Sequence, residues 1–131
     1  MRKVIIGILM FFCLLGVYQS LWANHSMHPL KQIAFVKKMI ERQQEPYHTA
    51  YVQLIRYADS IQHVTHHARN DFAVPGYYVK PEEHRTNSLA LQQDAFAAYC
   101  SALAYRLSGK KRYGEKACYF MNAWATINKK Y

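Results

Sequence analysis

Between Asp71 and Arg85 the chain concentrates side chains suited to holding an acidic sugar. The order is Asp71-Phe72-Ala73-Val74-Pro75-Gly76-Tyr77-Tyr78-Val79, then Pro81-Glu82-Glu83-His84-Arg85. Tyr77 and Tyr78 offer flat apolar faces, each with a hydroxyl at the rim, for stacking on or hydrogen bonding to a pyranose ring. His84 and Arg85 offer donors to a carboxylate, and the guanidinium of Arg85 is a planar fork that matches carboxylate geometry. Tyr78, His84 and Arg85, with Tyr77 beside them, are therefore the candidate substrate-binding residues. The competing structural reading has Tyr77 and Tyr78 packing the loop onto helices and Arg85 paired with Glu82 or Asp94.

Two other groups bear on chemistry. His63 and His67 stand four apart, with His66 between them, and would share a face if a preceding helix continued through them. Only Asp59 lies close enough in sequence to complete a metal set, and the helical pattern fades there. The histidines are accordingly read as solvated groups at a helix end, and no metal ligand is assigned. Cys100 and Cys118 each lie nine residues from Gly109, on opposite sides of it. An antiparallel hairpin would bring them to one height, where they either pair or remain buried free thiols. Their spacing excludes a redox CxxC motif, and two thiols are too few for a cysteine zinc site.

The elements that position these groups follow from periodicity. Leu30, Ile33, Val36, Met39 and Ile40 recur at helical spacing and predict a helix over Pro29–Gln44, with Pro29 tolerated in its first turn. Glu45-Pro46 interrupts it. Tyr47, Tyr51, Leu54, Ala58 and Ile61 then step by four, three, four and three, the seam of a second helix. Periodicity vanishes over 62–88, where Pro75-Gly76 and Pro81 read as breakers, so this stretch is expected to be one long binding loop. Helical spacing returns in Leu89–Leu107, with Leu89, Phe96, Tyr99, Leu103 and Leu107 near one face, Asn87 or Ser88 as cap and Gly109 as stop. A fourth helix over Arg112–Thr126 carries Tyr113, Ala117, Phe120, Met121 and Trp124. The aromatic stripe of Phe96, Tyr99, Phe120 and Trp124 is read mainly as core. Four helices in two hairpins give an all-α class, and an aromatic content of 15% is high for so few helices standing alone.

The first residues read as an address. Arg2 and Lys3 precede the apolar run Val4–Val17, a more polar Tyr18-Gln19-Ser20, and Leu21-Trp22-Ala23, the layout of a secretory signal peptide over 1–23. The apolar run is shorter than the ~20 residues a membrane span requires, so cleavage after Ala23 is expected, leaving no membrane attachment. The mature segment 24–131 then holds 15 Lys and Arg against 8 Asp and Glu, a surplus of seven positive charges. Such a surplus suits a polyanion. Periplasmic or secreted placement turns that expectation away from nucleic acid and toward an acidic polysaccharide. A cationic membrane-surface role would require broader basic helix faces than these.

Taken in order, the loop of type VPGxYxxPxxHR is followed by Asp94-Ala95-Phe96-Ala97-Ala98-Tyr99, Ala102-Leu103-Ala104-Tyr105-Arg106-Leu107-Ser108-Gly109, Tyr113-Gly114-Glu115-Lys116-Ala117 and Asn122-Ala123-Trp124-Ala125. This series resembles the N-terminal part of the alginate lyase domain family. The resemblance implies helical hairpins forming part of an (α/α) toroid, and 24–131 would be a partial domain of that kind. It also implies β-elimination on a uronic-acid polymer such as alginate, in which the C5 carboxylate is neutralised, the C5 proton removed and the C4 oxygen expelled. Family members are several hundred residues long. The Asn or His, Arg and Tyr they use in these steps lie in later helices, so no catalytic residue is assigned, and no cofactor is implied. The expectation is an N-terminal lyase fragment inactive alone. The alternative is a non-catalytic exported module that binds acidic polysaccharides. Gly109 is followed by Lys110-Lys111-Arg112, where the family usually has a polar or acidic residue. Three cations at a helix N-terminus oppose its dipole, so this end is expected to fray or to hold an anion. Nothing in the sequence sets the oligomeric state.

Overall fold

The structure, a computed structural model, describes residues 27–127. The segment read as a signal peptide lies outside the described residues. Within them are four helices and no strand: α1 Leu30–Glu41, α2 Tyr47–Ser60, α3 Pro81–Ser108 and α4 Lys111–Thr126. None is long and apolar enough to cross a membrane.

Helices α1 and α2 form the first hairpin. Ile33 of α1 is buried, and Phe35 meets Tyr47 edge to face at 5.7 Å between ring centres. On α2 the seam read from sequence faces inward, with Ala58 fully buried and Ile61 just beyond the helix also buried. The second hairpin, α3 with α4, is the most extensive pairing of the fold. It turns at Gly109, whose φ of 73° lies in the left-handed region that a residue with a Cβ adopts at a cost. Its N–H closes onto the Tyr105 carbonyl at 2.8 Å. Gly114 serves a different end, since a Cβ there would stand 3.2 Å from the Tyr105 ring.

Helix α2 lies across this second hairpin and joins it through two clusters. Ala58, Ala104 and Tyr113 form one, backed by Leu54 and Ile55; Ile61, Ala97 and Phe120 form the other, backed by Tyr57 and Ala98. Small residues on α2 and α3 let the aromatic rings of α4 enter the interface, and a fully buried Phe side chain contributes about 1.5–3 kcal/mol.

The start of α3 and the face it buries differ from the sequence expectation. Residues 81–88 are not loop but the first two turns of α3. Pro81 sits at the head of the helix, where its missing N–H costs nothing, and Glu82 and Glu83 complement the positive end of the dipole. Asn87 therefore does not cap a helix start. The inward face of α3 also differs from the expected apolar stripe. Leu89, Phe96 and Tyr99 are exposed, while Asn87, Asp94, Ala97, Cys100, Ser101 and Ala104 are buried. Of the aromatic stripe, Phe120 is core, whereas Phe96 lies on the surface against Tyr57 at 5.2 Å and Tyr99 reaches His28, its hydroxyl 2.7 Å from Nε2. On α4, Met121 points outward.

Candidate functional site

The connection from Ile61 to Lys80 is laid back along α3 by polar side chains on one face of that helix. His84 Nδ1 lies 2.7 Å from the Pro75 carbonyl, Asn87 donates to the Ala73 carbonyl at 2.6 Å, and Asp94 accepts the backbone N–H of His67 at 2.7 Å. As the loop numbers rise from 67 to 75 the helix numbers fall from 94 to 84, so the two run antiparallel. At about 1.5 Å per residue the anchored stretch spans roughly 15 Å. Asn87 also accepts from Arg69 at 3.2 Å, and the Arg69 guanidinium stands over the Phe72 ring at 5.2 Å.

Helix α4 closes the other side. Phe72 is buried and meets Trp124 edge to face at 4.5 Å. The Trp124 indole N–H donates to Asp94 at 2.8 Å, and His67 Nδ1 lies 2.8 Å from the second Asp94 oxygen. An ionised carboxylate only accepts, so the proton between them belongs to Nδ1. Nearer the loop's start, Lys116 donates to the Val64 carbonyl at 2.6 Å and lies over the rings of Tyr119 and Phe120. Burial holds the Lys116 ammonium below its ordinary pKa.

Three of the four sugar-binding candidates meet where the anchored loop joins α3. Tyr77 contacts Tyr78 and His84 edge to face, at 5.4 and 5.6 Å between ring centres. Tyr78 is 97% exposed, so its ring is open to a ligand, while Tyr77 is half covered. His84 presents only part of its ring, its Nδ1 being spent on Pro75. Arg85 is exposed on the first turns of α3 and lies 3.6 Å from Glu82; Asp94, its other possible partner, is occupied by His67 and Trp124. An exposed pair of this kind is worth about 0–1 kcal/mol, so Arg85 leaves Glu82 at little cost. Lys80, paired with Glu83 at 2.9 Å, is in the same position.

The histidines do not share a helical face, because α2 ends at Ser60. His67 turns to Asp94 and His66 to Tyr119, 5.2 Å between ring centres. Among the described residues no group of three or more His, Cys, Asp or Glu could hold a metal ion. Cys100 and Cys118 are both free; Cys100 is buried, as expected of a free thiol, but Cys118 is exposed. Burial pushes the Cys100 thiol above its ordinary pKa.

The cationic start of α4 holds a carboxylate of the chain itself. Tyr113 is fully buried and donates to Asp59 of α2 at 2.7 Å, and Arg112 reaches the same oxygen while its guanidinium lies over the Tyr113 ring at 4.8 Å. Burial, with the Asp59 contact, raises the Tyr113 phenol; the hydrogen bond to Tyr113, aided by Asp59, raises Arg112. Sequence reasoning missed Asn87, Asp94 and Asp59 as organising residues. For Asp94 a signal was present, a carboxylate amid Ala and Phe within a helix that must bury one face.

An all-helical chain of paired helices, with a long loop stitched to the third, is the class these observations define. The sequence profile of the alginate lyase family matches residues 34–130, and the chain belongs to that family. No curated protein and no solved structure matches the chain. Membership points to a polysaccharide as the ligand class.

Proposed function

We propose that this chain supplies the N-terminal helical pairs and a substrate-binding loop of an exported lyase that cleaves uronic-acid polymers such as alginate by β-elimination, and that it does not cleave them alone. The observation that carries this reading is the family match over 34–130, which takes in the whole loop and the helices that anchor it. The site agrees in chemistry. Tyr78 offers an open ring face to a sugar, and Arg85 and His84 stand within a few residues of it to meet carboxylates. The exposed Phe35, Phe96 and Met121 support further helical pairs as neighbours, since stacked hairpins cover one another's outer faces. Export rests on Arg2, Lys3 and the apolar run Val4–Val17.

The test uses polymannuronate and the chain as it stands. The expected result is salt-sensitive retention on the immobilised polymer with no growth of the unsaturated product's ultraviolet absorbance. Sustained turnover would contradict the lack of activity, and absence of retention at low salt would contradict uronan binding. Restoration of turnover when the later helices of a family member are supplied separates a lyase part from a binding module.

A further inference from the structure

We propose that His67 is a second sugar contact on the loop, its Nε2 edge presented to a uronate unit by the buried carboxylate of Asp94. The inference rests on the uronan reading above and adds a contact at the opposite end of the anchored stretch from Tyr78. Asp94 is 2% exposed and takes three donors, the His67 N–H, His67 Nδ1 and Trp124 Nε1. The His67 side chain remains 44% exposed. One edge of the ring is thus fixed inward and its tautomer set, and the other edge, bearing Nε2, makes no hydrogen bond among the described residues.

A histidine serving only to anchor the loop would add little, because the backbone N–H of the same residue already binds Asp94. A ring oriented by a buried carboxylate presents a defined polar atom outward, the arrangement by which an imidazole is made ready for a ligand. When neutral, Nε2 accepts a sugar hydroxyl; when protonated, it donates to the sugar carboxylate. The surroundings favour an anionic glycan over a cation. Lys116 from α4 anchors Val64, Arg69 follows His67 by two residues, and Asp71 lies against Arg69 at 3.4 Å. The carboxylate facing His67 is the consumed Asp94. The ~15 Å between the two ends of the stretch is length for an oligosaccharide, not a single sugar.

His67→Asn is the informative variant, because an asparagine amide retains a donor near the position of Nδ1 while removing the Nε2 edge. Calorimetric titration with mannuronate oligomers should show affinity at least ~5-fold weaker for His67→Asn than for the wild type, with the thermal transition preserved. In the wild type, the Cε1–H resonance of His67 should shift on titration. Binding by both proteins with equal affinity, and a stationary His67 resonance, would overturn the contact and leave the uronan reading standing. Should His67→Asn melt early, the wild-type resonance alone decides. Failure of the wild type to bind any oligomer would overturn the reading beneath it as well.

Discussion

The Trp124 indole nitrogen lies 2.8 Å from an Asp94 carboxylate oxygen, joining α4 to a buried acid of α3. Through the same carboxylate both helices hold the loop at His67. The NAWA and DAxAAY motifs, whose Trp124 and Asp94 are thirty residues apart in sequence, thus act on one point of the loop.

Asp94→Asn should destabilise the fold by about 1–3 kcal/mol, because an amide group would face buried donors that lose their acceptor. Urea unfolding followed by circular dichroism should show a lower midpoint with an unchanged slope. An unchanged midpoint would mean that the loop is held by its other anchors.

Tyr113→Phe removes one hydroxyl from a fully buried ring and leaves its shape. The expected cost is about 1 kcal/mol, from the lost hydrogen bond to Asp59. Gly109→Ala should cost about 1–2 kcal/mol through backbone strain alone, since a Cβ there meets nothing within 4 Å. Thermal melts of the two variants measure the two costs separately.

Stability should fall as the solution is made alkaline. The Cys100 thiol and the Tyr57 and Tyr113 phenols are all raised, chiefly by burial. Above the ordinary thiol range the unfolded chain gives up the Cys100 proton while the folded chain keeps it, so unfolding gains and stability drops. The two phenols extend the loss toward the phenol range. Lys116, lowered by burial, works in the opposite sense, its penalty being relieved as it loses its proton. Cys100→Ala should flatten the thiol part of a pH series of melting temperatures. A maleimide should label Cys118 rapidly and Cys100 only on unfolding, and equal rates would contradict the burial of Cys100.

Much of the fold was legible because apolar residues repeat where helices bury them. The α2 seam from Tyr47 to Ile61, the stop at Gly109 and most of the α4 stripe are where spacing put them. Helix α3 was legible only in part. Its inward face carries Asn87, Asp94 and Ser101 among small residues, so a search for apolar period selects Leu89, Phe96 and Tyr99 on another face. Pro81 was read as a breaker, although a proline at the head of a helix is tolerated. The sugar-binding candidates were visible as residue types. The partners of the anchors beneath them were not, because Asp94 and Asn87 acquire those partners only when the loop folds back along α3.

The proposed function requires Tyr78 of the anchored loop and Arg85 at the start of α3 to bind uronan. Calorimetric titration of polymannuronate into the wild type and into the double variant Tyr78→Ala, Arg85→Ala measures this directly. Both side chains are exposed, so the variant should melt within a degree or two of the wild type. The proposed function predicts binding by the wild type that weakens with added salt, and at least ~10-fold weaker binding by the variant. Equal affinity in the two proteins would contradict it.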